Sequence, residues 1–262
     1  MRALITGANS HGLGGAIALR LAADARARQE DCSLALCTSG DGASNAELMT
    51  ELEASGVRVL GLGGNLADPQ VPAQLIDQAV DFAGGLDAVV ANAGIMKPGR
   101  LNKLSLEDWD TVFAVDVRSV WLLAKASHPA LKDSRGAFVG VASTSGIQPY
   151  KLGGAYSPAK AAQIMLCQLL AMEWARDGIR VNIVSPGVMR TPMNLNLENA
   201  DYIASRHRMI PLERLAETSE VAATVAYLLG ADASYVTGEN ITVDGGLLRA
   251  SLDRIPIGRA FS

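Results

Sequence analysis

Ala3-Leu4-Ile5-Thr6-Gly7-Ala8-Asn9-Ser10-His11-Gly12-Leu13-Gly14 joins a short apolar run to a glycine-rich turn and then to a helical pattern that continues to Ala27. Strand, turn and helix in that order suit a dinucleotide. Glycine lets the backbone bend and approach a pyrophosphate, and the free N–H groups of the first helical turn meet its charge. The same turn has a plainer reading, in which the glycines only let helix pack on strand, so its weight depends on the pattern of the remaining chain.

Beyond Ala27 the same alternation continues. Ala3–Ile5, Leu34–Cys37, Val57–Leu62, Ala88–Ala91, Ala137–Ala142, Val181–Val184 and Asn240–Val243 read as strands. Gly14–Ala27, Ala43–Ser55, Pro72–Phe82, Leu106–Ala126, Ser157–Asp177 and Ser219–Leu229 read as helices. Seven short apolar strands with helices between them predict an α/β protein, a parallel sheet covered on both faces. No Pro-rich or Ser/Gly linker interrupts the series, so one domain is expected over 1–246, followed by a tail over 247–262. That tail, with Arg249, Arg254 and Arg259 among Leu and Ile, is either an ordinary terminus or a strap onto a neighbouring subunit.

Composition narrows the partners. The 262 residues are 49% apolar and 19% charged, the balance of a compact folded chain. A net charge of −4, with Lys and Arg scattered, offers no basic field for nucleic acid. Gly7 arrives before any apolar stretch long enough for a signal peptide. The most apolar stretch, Ala161 to Ala175, is too short to span a bilayer and carries Gln163, Gln168 and Glu173. A cytoplasmic protein with no membrane partner is therefore expected. Cys32, Cys37 and Cys167 are odd in number and form no CxxC pair, which predicts reduced core thiols and neither a disulfide nor a metal site. In the helix over 157–177, Ile164, Met165, Leu166, Leu169, Leu170, Met172 and Trp174 leave little polar face. Either another copy of the chain or another part of the same chain must cover it, and symmetric self-association is the economical choice.

The strongest chemical signal is spaced over eighteen residues. Ser143 ends the fifth strand, Tyr156 comes next, and Lys160 lies four residues later. Residues four apart on a helix share a face, so phenol and ammonium converge. A phenol at its usual pKa of about 10 is a poor base at neutral pH, but an adjacent ammonium and an oxidised nicotinamide both favour its anion. Tyr156 then acts as acid/base while Ser143 donates a hydrogen bond to the substrate oxygen. Singly, these residues have ordinary explanations as a cap, a packing ring and a solvated charge; together with the glycine turn they form a constellation. At the end of the second strand, where NAD-preferring proteins usually place Asp or Glu, stand Cys37, Thr38 and Ser39. No carboxylate there repels a 2′-phosphate and His11 lies in the loop, so NADP(H) is favoured over NAD(H), with Asp41 nearby arguing the other way.

These motifs resemble the short-chain dehydrogenase/reductase family along essentially the whole chain, and most of all the branch containing the 3-oxoacyl-[acyl-carrier-protein] reductases. The resemblance rests on the TGxxxGxG-like start, Ala91-Asn92-Ala93-Gly94, Ser143, Tyr156-Ser157-Pro158-Ala159-Lys160, Pro186-Gly187 and Val243-Asp244-Gly245-Gly246. It implies a single doubly wound Rossmann-type domain, usually in a homotetramer, that interconverts a carbonyl and a secondary alcohol with NAD(P). It also implies cofactor contacts from Gly7 and the loop Asn9, Ser10, His11, Gly12, Leu13 and Gly14, and from Thr38 and Ser39. Asn65 and Leu66 fall at the adenine, Asn92, Ala93 and Gly94 beside the ribose, and Pro186, Gly187, Met189 and Thr191 around the nicotinamide amide, with Tyr156 and Lys160 touching the cofactor too. Three departures stand out. Four residues rather than three separate Gly7 from Gly12; Ala91 replaces the first Asn of the family's NNAG motif; and Asp116 replaces the family's Asn that leads a water to the lysine. An ionised Asp accepts hydrogen bonds but donates none, and beside Lys160 it would hold the lysine charged. Because a backbone carbonyl at that position also serves the family's relay, the expected effect is a shifted pH optimum.

By the same resemblance, 193–211 forms a lid containing Arg206, His207 and Arg208, either the solvated face of a short helix or charges that greet an acidic substrate. Met96, Ile147, Gln148, Tyr150, Met189 and Met193 are expected to line an apolar pocket for a small to medium carbonyl or alcohol. Two rival readings are a cofactor-binding regulator without chemistry, opposed by intact Ser143, Tyr156 and Lys160, and a lyase of the dehalogenase kind, opposed by Lys160 and the glycine loop.

Overall fold

The computed structural model describes residues 1–40, 45–191, 193 and 199–250. Strands β1 (Arg2–Thr6), β2 (Ser33–Thr38), β3 (Arg58–Gly63), β4 (Ala88–Ala91), β5 (Ala137–Val141), β6 (Arg180–Pro186) and β7 (Asn240–Val243) form one sheet in the order β3-β2-β1-β4-β5-β6-β7. Every neighbouring pair is parallel, with Leu4 of β1 opposite Ala35 of β2 on one side and Val89 of β4 on the other. Each expected strand is present, with ends no more than two residues from those expected.

Both faces are covered, which is why the strands read as unbroken apolar runs: β2, β4 and β5 are buried throughout. Adjacent strand residues point to opposite faces. Ile5, Val90, Val139 and Val184 therefore join a core with α1 (Leu13–Arg28), α2 (Ala46–Ala54) and α8 (Thr218–Leu229). Their neighbours Leu4, Val89, Phe138 and Ile183 join a second core with α3 (Val71–Ala83), α5 (Ser119–Ser134) and α6 (Tyr156–Trp174). Cys32, Cys37 and Cys167 are buried and free, and burial pushes the Cys37 and Cys167 thiols up to about 12.

The single helix expected over Leu106–Ala126 is corrected by the structure. It is α4 (Leu106–Phe113), a π turn over Ala114–Arg118, and then α5, which runs on to Ser134. Pro129 sits inside α5 without ending it. The buried Leu131 and the bond from Ser134 Oγ to the Leu86 carbonyl, 2.7 Å, hold the last turn in place. Within the expected lid, Ala200–His207 forms α7, capped by Asn199, whose side chain accepts from the Tyr202 N–H. Of the tail, residues 247–250 turn back, with the Leu248 N–H donating to Asp244 Oδ2 at 2.9 Å. Asp41, the first residues of the helix expected from Ala43, residues 192 and 194–198 of the lid region, and 251–262 with Arg254 and Arg259 lie outside the described residues. No helix among the described residues is long and apolar enough to cross a membrane.

The outer face of α6 is apolar in this chain: Met165, Leu169 and Met172 are 65%, 50% and 79% exposed. The strand order reverses between β1 and β4, and a doubly wound sheet opens its crevice beyond the carboxyl ends of the strands at such a point.

Candidate active site

The crevice is built on a stitched junction. Thr6 Oγ1 accepts from the N–H groups of Asn92 and Ala93, both at 3.1 Å, and donates to the Val90 carbonyl at 3.3 Å. The Asn92 amide donates to the carbonyls of Thr6 and Gly7, at 2.9 and 3.1 Å. Gly7 comes next with φ +66°, and a Cβ there would lie 2.9 Å from Ala93 Cα, so glycine is required on both counts. Beyond it the Gly12 N–H donates to the Asn9 carbonyl at 3.2 Å, closing a turn over Ser10 and His11. α1 starts at Leu13 with no side chain capping it and no acid in its first turn. Its leading N–H groups thus remain directed at the crevice. A Cβ on Gly14 would lie 2.4 Å from the Gly7 carbonyl oxygen, and one on Gly15 2.5 Å from that of Asn9. Close backbone approach, an uncapped helix start and no competing carboxylate together fit a pyrophosphate.

Ser143 lies just beyond β5, where its Oγ accepts from the Ser145 N–H at 3.1 Å and caps a short turn over Thr144–Gly146. The hydroxyl proton is left to donate elsewhere. A Cβ on Gly146 would lie 2.7 Å from the Lys160 carbonyl carbon, so this turn rests directly on the start of α6. Tyr156 is the first residue of α6, and one turn on the Lys160 Nζ lies 5.6 Å from the centre of its ring. Lys160 is only 3% exposed. Its ammonium donates to the Val141 carbonyl at 3.1 Å and to Gln163 Oε1 at 3.0 Å, and meets Asp116 Oδ2 at 3.3 Å.

Asp116 reaches this point from the π turn between α4 and α5. π turns inside helices frequently mark functional positions, because the extra residue re-aims the side chains around it. Asp116 is fully buried, its Oδ1 accepting from the Ile95 N–H at 2.9 Å. A Cβ on Gly94 would stand 3.1 Å from Lys160 Nζ and 3.2 Å from Asp116 Oδ2, so Gly94 forms the wall over the pair. Burial pushes the Asp116 carboxyl up, opposed by the Lys160 charge and the Ile95 N–H. Burial alone would pull the Lys160 ammonium down; Asp116, first, and Tyr156 outweigh it and hold it above its ordinary range.

The remaining expected residues differ in exposure. Asn9, His11, Ser39 and Asn65 are exposed, while Thr38 and Leu66 are buried. Gly187 is pressed against Asp244, where a Cβ would lie 2.8 Å from the Asp244 Cα, and Met189 pairs with Ala216. Ile147, Gln148, Tyr150 and Met193 are exposed, and the Tyr150 hydroxyl meets Met96 Sδ at 3.0 Å. In α7 the Arg206 guanidinium lies over the Tyr202 ring at 4.8 Å and Arg208 is exposed. Sequence reasoning did not single out Thr6, Gly15 or Gln163 for the site. Gln163 alone left a usable trace, a polar side chain three residues beyond Lys160 in an apolar run.

A reversed strand order, a glycine turn at a helix start and a Ser-Tyr-Lys set at one sheet edge define the class: a dinucleotide-binding oxidoreductase. A family profile described as Enoyl-(Acyl carrier protein) reductase matches residues 7–248. A short-chain dehydrogenase/reductase of Hericium erinaceus is 31% identical over 94% of this chain and 97% of its own length. A 3-oxoacyl-[acyl-carrier-protein] reductase of Synechocystis sp. is 34% identical over 94% of this chain and 96% of its own. The crystal structure of a short chain dehydrogenase from Burkholderia cenocepacia in complex with NADP superposes with a TM-score of 0.85 at 33% identity, covering 94% of this chain and 97% of that one. The chain belongs to the short-chain dehydrogenase/reductase family. It is an NAD(P)-dependent oxidoreductase that interconverts a carbonyl and a secondary alcohol.

Proposed function

We propose that Tyr156 carries the proton, Ser143 holds the substrate oxygen and Lys160 positions the cofactor and charges the phenol's surroundings, with NADP(H) preferred. A bound nicotinamide supplies or takes the hydride. In the reducing direction the Tyr156 hydroxyl donates its proton to the carbonyl oxygen as charge develops there, and the Ser143 hydroxyl donates a hydrogen bond to the same oxygen. In the oxidising direction Tyr156 takes the alcohol proton. The single observation that carries this reading is the buried Lys160 ammonium 5.6 Å from the Tyr156 ring at the reversal of the sheet.

NADP(H) is favoured by Cys37-Thr38-Ser39, which places no carboxylate where a 2′-phosphate would lie, and by the NADP and NADPH bound in two similar structures. Asn9, Ser10, His11, Gly12, Leu13 and Gly14 would hold the pyrophosphate side, Asn65 and Leu66 the adenine, and Pro186, Gly187, Met189 and Thr191 the nicotinamide amide. The substrate is a small to medium carbonyl or alcohol with an apolar skeleton, seated against Met96, Ile147, Gln148, Tyr150 and Met193. We place the protein in the cytoplasm as a homotetramer or dimer of one-domain subunits, copies meeting through the outer face of α6, where Met165, Leu169 and Met172 are exposed.

Tyr156→Phe tests the central role. The variant is expected to bind NADPH with about wild-type affinity while kcat falls by roughly two to four orders of magnitude, measured by nicotinamide absorbance over a panel of ketones, quinones and acyl thioesters. Near-normal turnover would rule out the phenol as proton carrier.

A further inference from the structure

Gln163 has no exposed surface and sits three residues beyond Lys160 on α6, facing β5 at Gly140. Its Oε1 accepts from the Lys160 ammonium at 3.0 Å, while its Nε2 has no partner. Turning the amide over would aim two N–H donors at an ammonium, so this orientation is the one the charge permits. A buried amide with half its hydrogen bonding unmet costs more than an apolar side chain of the same size. Packing alone therefore gives no reason for glutamine at a position flanked by Ala162 and Ile164.

The Lys160 ammonium donates to the Val141 carbonyl and to Gln163 Oε1, and its remaining side faces the Asp116 carboxyl, whose Oδ2 lies at ion-pair distance, 3.3 Å, outside hydrogen-bonding geometry. A further acceptor on a bound cofactor would have to draw the ammonium off one of these contacts. The Val141 carbonyl is fixed in β5, and leaving Asp116 separates two buried opposite charges. The bond to Gln163 joins the ammonium to a neutral side chain with its own torsional freedom, and is the least costly to give up.

We propose that Gln163 is a positioning residue that competes with the cofactor for the Lys160 ammonium, holding it toward β5 and yielding it on cofactor binding, so that the amide weakens cofactor affinity. The proposal rests on the reading that Lys160 donates to the cofactor. Gln163→Met keeps the length of the side chain and removes the acceptor. Without substrate, the NADPH Kd of this variant, read by fluorescence, is expected to be about fivefold tighter than wild type, because the bound cofactor satisfies a donor the free variant leaves unpaired. Its melting temperature is expected to fall below wild type without NADPH, and the gap to narrow with saturating NADPH. A purely structural glutamine would lower both melting temperatures in parallel and leave or weaken affinity, and that result overturns the proposal. Should Gln163→Met fail to fold, Gln163→Leu carries the same expectation. The double variant Lys160→Met, Asp116→Asn, which removes both charges of the buried pair, separates the two readings. Unchanged NADPH affinity in it sinks the role of Lys160 itself; weakened affinity there without tightening in Gln163→Met sinks only the role of Gln163.

Discussion

Asp116 places a full negative charge where the family's asparagine would be neutral, 3.3 Å from the one buried ammonium of the site. The consequence is electrostatic. Asp116 is the largest influence raising Lys160 against the effect of burial. With Asn in its place, the ammonium would lose that support and titrate at lower pH. Asp116→Asn is therefore expected to move the alkaline limb of the pH–rate profile to lower pH, with turnover retained. An unmoved limb would remove Asp116 from the proton chemistry. The replacement itself was legible in the sequence, since Asp116 lies at a recognisable position before the Ser-Tyr-Lys set. Its approach to Lys160 followed from the family resemblance, but its bond to the Ile95 N–H did not, because Ile95 comes from a distant part of the chain. Thr6 was read only as part of the glycine motif: its hydroxyl accepts from the N–H groups of Asn92 and Ala93, and nothing in the residues around it announces that.

At the scale of elements, the central strands were legible because burial on both faces writes each as a short apolar run. Tyr156 and Lys160 were legible because four residues on a helix is a local distance. The π turn at Ala114–Arg118 was not. The periodicity of 106–126 continues through it, and the partners that Asp116 meets from the widened turn lie on other elements. The start of α8 supplies a local test. Glu217 and Glu220 form a capping box, and the Arg214 guanidinium meets Glu220 at 2.6 Å. Arg214, first, and the Glu217 N–H lower the Glu220 carboxyl from 4.5 to about 2. A carboxylate lowered on folding stabilises above its unfolded pKa and loses that contribution as pH falls through the folded one. Glu220→Gln is therefore expected to have a melting temperature that varies less with acid between about pH 4.5 and 2 than that of the wild type. The size is small, since both groups are largely in water, and the comparison of slopes reads it.

For the whole molecule, the outer face of α6 is the surface to test. Met172 and Met165 protrude from a helix whose inner side, at Cys167, Leu170 and Trp174, is already buried in the core of its own subunit. Leu169→Glu with Met172→Glu is expected to leave the monomer folded and to shift the mass by light scattering from an oligomer to a monomer; an unchanged mass would place the subunit contact elsewhere. The amino-acid sequence by itself determined the layered α/β class, the strand and glycine-turn positions and the Ser-Tyr-Lys set. Each of these is a pattern of burial or spacing within a few turns of chain. Only the tertiary structure decided that Lys160 is enclosed by Val141, Gln163 and Asp116, that a π turn delivers Asp116, and that Thr6 ties β1 to the end of β4. Apart from the Lys160–Gln163 bond, those contacts join residues far apart along the chain, and their strength comes from removal from water, which no local pattern records.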